Sequence, residues 1–201
     1  MKSRIFSMAA AAVLAGCLVV CPVGCGAQDL AEPPQIGAAL PGFELPDLDG
    51  KLHTLEQYRG KIVVIEMASQ HCPWSRGADP HLVELANKYA DKNVVFLGVD
   101  SHNSTSAEDI KKYAEEKKKT YTILKDEGNK YADALGARTT PEVYVVDKDG
   151  KLVYHGAFDN RSNPDEKGDK PYVDMAIQAA IEGKSADPDR VKSWGCSIKR
   201  K

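Results

Sequence analysis

The sequence predicts an α/β domain, a central mixed sheet flanked by helices on both faces. Three observations carry that expectation. Ile62 to Met67 and Val94 to Val99 are continuous, β-branched apolar runs of the kind that fill strands covered on both sides, the first broken only by Glu66. Stretches with apolar residues at three-to-four spacing lie between strands, which argues for helices with one buried face. Glu142 to Val146, the turn Asp149-Gly150 and Leu152 to Tyr154 read as a closing antiparallel hairpin.

The elements follow in order. Residues 28–40 are rich in Pro and Ala and read as a linker into a domain spanning residues 41–183. Phe43-Glu44-Leu45 alternates as a short strand, Asp49-Gly50 is a turn, and Thr54 to Tyr58 is a short helical stretch ended by Gly60. A helix starts near Cys72-Pro73, since proline is well tolerated in a first helical turn. Leu82, Leu85, Ala86 and Tyr89 give that helix one buried face, and Pro80 kinks it by removing a backbone donor. Thr105-Ser106-Ala107-Glu108 has capping-box spacing and opens a helix through about Lys118. The mixed charges from Lys111 to Lys119, with Glu115 four before Lys119, read as a solvated helix face rather than a binding patch. A short strand at Thr122 to Leu124 and a helix from Asn129 to Leu135, stopped by Gly136, come next. Asp159 to Lys170 is a polar loop, and Val173, Ala176, Ile177, Ala180 and Ile181 mark a last amphipathic helix. Residues 184–201 form a tail carrying Cys196.

With 201 residues, 42% hydrophobic and 28% charged, the chain has material for one domain with a sizeable core. Its 27 basic residues against 29 acidic ones leave no field to attract phosphates, which argues against a nucleic-acid binder. The N-terminus differs in kind. Lys2 and Arg4 precede an apolar stretch that reaches Val23, with no charge until Asp29. This reads as an export signal over residues 1–27, cleaved near Gly24-Cys25-Gly26-Ala27. A permanent anchor is the competing reading, because the run approaches the ~20 residues a bilayer span needs. Leu14-Ala15-Gly16-Cys17 resembles the bacterial lipoprotein box, which makes residues 1–16 the signal and Cys17 the lipidated first residue. The apolar continuation Leu18-Val19-Val20-Cys21 argues against that box. The expected location is periplasmic or extracellular. Outside the signal only Cys72 and Cys196 remain, an even pair in an oxidising compartment.

A cysteine at a helix N-terminus directly after a buried strand is the most chemically specific feature. Unpaired N–H groups and the positive end of the helix dipole favour thiolate over thiol, and a thiolate near neutral pH is a nucleophile toward disulfides or peroxides. The competing reading is a buried, inert thiol. Such thiols lie in apolar runs, whereas Cys72 lies among Ser69, Gln70, His71 and Pro73.

Ala68-Ser69-Gln70-His71-Cys72-Pro73-Trp74-Ser75 resembles the active-site turn of thioredoxin-like proteins, with Ser75 where a second cysteine would stand. Pro80 matches the kink proline of that helix, and Thr139-Thr140-Pro141-Glu142 resembles the fold's cis-proline loop. The resemblance therefore implies a thioredoxin-like fold, with a cis Thr140–Pro141 bond facing Cys72. Pro41-Gly42-Phe43-Glu44-Leu45-Pro46-Asp47, Gly60-Lys61, Asp126 through Gly136 and Tyr144-Val145-Val146-Asp147 are similar to redoxins, the alkyl hydroperoxide reductase/thiol-specific antioxidant relatives. The match covers about Ile36 to Ile181. Two departures stand out. Ser75 cannot resolve a mixed disulfide, although its hydroxyl can donate to a thiolate. Ser69 fits the peroxiredoxin pattern three before the cysteine, but Ile65 stands where that pattern has proline.

Trp194-Gly195-Cys196-Ser197-Ile198-Lys199 resembles the Gly-Cys tail of exported redoxins with one active-site cysteine. The resemblance implies that Cys196 resolves Cys72. A structural disulfide, an intermolecular one and a free tail thiol remain open, since pairing depends on geometry. Glu66 stands six before Cys72, where thioredoxins carry a buried acidic residue. A carboxyl there has a raised pKa and can shuttle a proton, unless strand alternation turns it to solvent. Trp74, Ser75, Thr140 and Arg138 are candidate contacts for a substrate or partner. Trp74 can equally serve helix packing, and Arg138 can be a solvated loop residue. His71 can tune Cys72 or be a surface histidine. The histidines have no metal-ligand spacing with either cysteine or with each other.

The sequence thus supports an enzyme with Cys72, Cys196, Glu66 and Pro141 in its catalytic set. It acts on protein disulfides or peroxides and is restored by a reducing thiol partner. No nucleotide, flavin or metal cofactor is required, because cysteines carry the electrons. The contrasting hypothesis is a redox-inert module stapled by a Cys72–Cys196 bond.

Overall fold

A computed structural model describes residues 30–200; the export signal and Cys17 lie outside the described residues. Among the described residues no helix is long and apolar enough to cross a membrane.

The chain folds as β1 (Glu44–Pro46), β2 (Leu52–Thr54), β3 (Ile62–Ala68), α1 (Pro73–Lys88), β4 (Val94–Asp100), α2 (Ala107–Glu116) and β5 (Thr122–Lys125). There follow α3 (Lys130–Ala134), β6 (Thr139–Thr140), β7 (Glu142–Val146), β8 (Leu152–Gly156), α4 (Tyr172–Ile181), β9 (Arg190–Val191) and β10 (Cys196–Ser197). The main sheet has the order β5-β4-β3-β7-β8-β9. β3 runs parallel to β4 and antiparallel to β7, so the sheet is mixed, as the hairpin at its end predicts. This is the thioredoxin-like fold.

The apolar run of β3 is explained by its two covers. Val63, Ile65 and Met67 face one buried cluster with Leu97, Leu135 and Tyr144. Ile62 and Val64 face another with Leu82 of α1 and Ile177 of α4. Each such buried side chain contributes about 1.5–3 kcal/mol relative to exposure. Strand order turns around β3, whose neighbours belong to two different connections. The carboxyl end of such a strand is where open α/β sheets form their clefts, and Cys72 follows that end.

The structure refines several expectations. Residues 36–40 pack on the β7–β8 hairpin: the Gly37 N–H donates to the Leu152 carbonyl at 2.8 Å, and Leu40 is buried. The cap of α2 is Ser106, whose Oγ accepts from the Asp109 N–H at 3.1 Å; the box expected at Thr105 and Glu108 is displaced by one residue. α2 also ends at Glu116, so the expected Glu115–Lys119 pair does not form. Lys118 takes φ 53°, and the Lys119 side chain turns inward to 4% exposure.

The loop after β8 is ordered by charge. Arg161 bonds Asp159 through Nε and Nη2 at 2.9 and 2.8 Å, with both side chains buried. The loop lies against α1 at Gly77, where any Cβ would collide with the Pro164 carbonyl. Residues 184–200 carry two short strands that periodicity did not indicate. β9 pairs with the sheet edge at β8, and β10 pairs antiparallel with β6, Cys196 opposite Thr140 and Ser197 opposite Thr139.

Candidate active site

Cys72 is the N-cap of α1, with extended backbone (φ −90°, ψ 118°) and Pro73 as the first helical residue. No acidic residue occupies the first turn, so the positive helix end is uncompensated by side chains. The Cys72 N–H donates to the Ser69 carbonyl at 3.1 Å, which sets the turn. Ser75 was expected to donate its hydroxyl to the sulfur. Instead its Oγ accepts from the Ser69 N–H at 3.3 Å, and its own backbone N–H serves Cys72.

The opposing wall is the loop before β7. The Thr140–Pro141 peptide bond is cis, and the Cys72 thiol donates to the Thr140 carbonyl at 2.9 Å. Glu142, not singled out in the sequence, clamps this loop. Its Oε2 accepts from the N–H groups of Arg138 and Thr139 and from the Thr139 hydroxyl, each at 3.0 Å. Its Oε1 accepts from the Tyr144 hydroxyl at 2.8 Å and from His155 Nε2 at 2.6 Å. The signal available was a carboxylate directly after a proline in an otherwise apolar strand. Burial alone would raise the Glu142 pKa, but these donors hold it down at about 2. The exposed Arg138 meets the tail through its main chain, its carbonyl accepting from the Ile198 N–H at 3.0 Å.

The tail brings the second thiol to this wall. Cys72 and Cys196 are both free thiols, and they line one cavity. Gly195, at φ 135°, lets the chain approach the Thr140 carbonyl, where a Cβ would collide. Burial alone would raise the Cys72 pKa. Hydrogen bonds from the Cys196 and Thr140 side chains and from the N–H groups of Ser75 and Cys196 outweigh it and lower the pKa. Cys196 is pushed up to about 11 by burial and by the neighbouring Cys72 sulfur. The first proton of the pair therefore leaves from Cys72.

A cavity of about 160 Å³ adjoins both sulfurs. His71 and His102 line it, with ring centroids 4.7 Å apart. Trp74 stacks on Trp194 with centroids 5.2 Å apart, and Trp194 Nε1 donates to the Asp159 carbonyl at 2.7 Å. Trp74 thus serves packing between α1 and the tail.

Glu66 lies under this site on the α1 side of β3, at 1% exposure rather than turned to solvent. Tyr121 donates to its Oε2 at 3.4 Å, while Oε1 has no partner. Beside it Lys119 and Asp79 form a buried ion pair at 2.5 Å, and Tyr113 donates to Asp79 at 2.6 Å. Burial dominates and pushes the Glu66 pKa up to about 7, against the pull of Lys119.

Comparison with known proteins identifies the family. Residues 36–155 match the AhpC/TSA family. A thiol-disulfide oxidoreductase ResA from Bacillus anthracis is 30% identical over 122 residues, spanning 61% of this chain and 69% of the relative. A chloroplastic peroxiredoxin Q from Suaeda salsa is 29% identical over 140 residues, spanning 65% of this chain and 64% of the relative. Among solved structures, an uncharacterized conserved protein from Geobacillus kaustophilus superposes with a TM-score of 0.78 at 34% identity, covering 83% of this chain and 93% of that one.

Proposed function

This chain belongs to the AhpC/TSA family and is an oxidoreductase, and on that premise we propose that it cycles between a Cys72/Cys196 dithiol and the corresponding intramolecular disulfide. One observation carries the proposal: β10 seats Cys196 opposite Thr140, the residue whose carbonyl receives the Cys72 thiol.

The Cys72 thiolate attacks one sulfur of a substrate disulfide and expels the other as a thiolate, leaving a mixed disulfide on Cys72. Cys196 loses its proton and attacks the Cys72 sulfur. The substrate's remaining thiolate leaves, the Cys72–Cys196 bond forms, and two electrons have passed to the substrate. Glu66 titrates close to neutrality and is the buried group suited to take up a proton during this exchange. A reducing thiol partner restores the dithiol.

A second reading has a hydroperoxide as oxidant, and the small cavity at the two sulfurs favours it. There the thiolate attacks the O–O bond, expels hydroxide or alkoxide and becomes a sulfenic acid, which Cys196 condenses to the disulfide with loss of water. Turnover assays with glutathione disulfide and with hydrogen peroxide, on the parent chain and on Cys72→Ser, separate the readings. Activity in Cys72→Ser would overturn both.

The same reading takes the mature chain to be exported, beginning near Gln28 or at a lipidated Cys17. Mass analysis of the mature protein tests this, and an intact N-terminus would refute it.

A further inference from the structure

We infer that the external thiol that reopens the Cys72–Cys196 disulfide attacks Cys196 and not Cys72, an inference that rests on the cycle proposed above. Access is the first argument. Cys72 is 2% exposed even with both thiols free, whereas Cys196 is only half-buried. What covers Cys72 includes the strand that carries Cys196, and this strand is anchored on both sides. Trp194 holds it to Trp74 and to the Asp159 carbonyl. Beyond Cys196, Ile198 is buried, and Arg200 bonds Asp133 and the Ala137 carbonyl at 2.7 and 2.6 Å.

In the proposed cycle substrate reaches Cys72 only if this strand yields, and with both thiols free no covalent bond opposes that. In the disulfide state it is tied covalently to the very sulfur it covers. Cys72 is thus least reachable in the state on which the reductant must act.

Departure of the leaving group is the second argument. Attack on Cys196 expels Cys72 as thiolate into the Ser75 N–H and the helix N-terminus, which are arranged to receive it. Attack on Cys72 would expel Cys196 from a two-residue strand, where no helix N-terminus receives its charge and only Lys199 offsets it. The step balances as follows. An external thiolate forms a bond to the Cys196 sulfur, the Cys72–Cys196 bond breaks, and its electron pair leaves on Cys72. A second external thiol attacks the external sulfur of this adduct, releases Cys196 and forms the external disulfide. Two external thiols supply the two electrons.

The test uses the full chain, oxidised with one equivalent of the general dithiol oxidant diamide and checked by peptide mass for the Cys72–Cys196 bond. Brief mixing with glutathione is stopped in N-ethylmaleimide under denaturing conditions, and the modified peptides are quantified. The expected result is glutathione on Cys196 with maleimide on Cys72, in about tenfold excess over the reverse pattern. Glutathione on Cys72, or an even division, overturns the inference while leaving the dithiol cycle standing. Failure of the parent chain to form the bond overturns the cycle and the inference together.

Discussion

The indole rings of Trp74 and Trp194 pack with centroids 5.2 Å apart, each two residues from one of the two cysteines. They tie the start of α1 to the tail at the point where the thiols meet. As the chain contains two tryptophans, its intrinsic fluorescence reports directly on that junction. Oxidation of the dithiol is expected to change the emission, and Trp194→Ala to slow closure of the disulfide by about tenfold through a lower effective concentration of Cys196. Stopped-flow fluorescence and acid-quench mass analysis check this. Closure at the parental rate in Trp194→Ala would show that the stack does not position the tail.

Arg200 secures the other side of Cys196. Its partner Asp133 is partly exposed, so Arg200→Gln is expected to cost only about 0.5–1 kcal/mol in global stability. The local effect is larger, because the strand after Cys196 loses two of its bonds. Hydrogen exchange at Cys196 and Ser197 should accelerate several-fold, while β3 and β4 keep their protection. Unchanged exchange in β10 would refute the anchoring role.

Glu142 gives the fold an acid-sensitive point. Its carboxyl is held at about 2 against an ordinary value of 4.5: burial opposes the shift, and the donors from His155, Arg138 and Tyr144 overcome it. A lowered carboxylate pKa stabilises fully above the unfolded value and loses that contribution as pH falls from 4.5 through about 2. The size is about 3 kcal/mol. Glu142→Gln should therefore melt below the parent at pH 7, and the gap should narrow toward pH 2. A gap that stays constant across that range would contradict the assignment.

Glu66 predicts the opposite sign. Its pKa is raised from 4.5 to about 7, so its ionisation works against the fold. Stability falls as pH rises from 4.5 through 7, and Glu66→Gln should be more stable than the parent above that window by about 3 kcal/mol. Below pH 4.5 the two should coincide. If Glu66 also takes the proton during exchange, the same substitution removes the pH dependence of turnover near 7. Melting curves and rate profiles on one pair of proteins measure the structural and chemical roles separately.

Much of this was legible in the sequence because it is local. Ile62 to Met67 announces a doubly covered strand by composition, and Cys72-Pro73 announces a helix start because proline fixes the first turn. The proline loop was readable through its resemblance to the loop of thioredoxin-like proteins. The tail was not. β9 and β10 are two residues each and have no period to detect; their partners, Gly156 and Thr140, are distant in sequence. Lys119 was misread because the charge pattern assumed a helix about two residues longer than the one that forms. The clamp by Glu142 gathers donors from Arg138, Thr139, Tyr144 and His155, and no single spacing expresses that set.

The antiparallel pairing of β10 with β6 also bears on how the protein is made. Synthesis proceeds from the N-terminus, so Cys72 emerges with its helix long before Cys196. Every new molecule passes through an interval in which the nucleophile has no internal mate and nothing covers it. During that interval it is open to capture by whatever oxidant or foreign thiol the compartment holds. Docking of β10 ends that vulnerability, and maturation of the enzyme is complete only when those residues arrive.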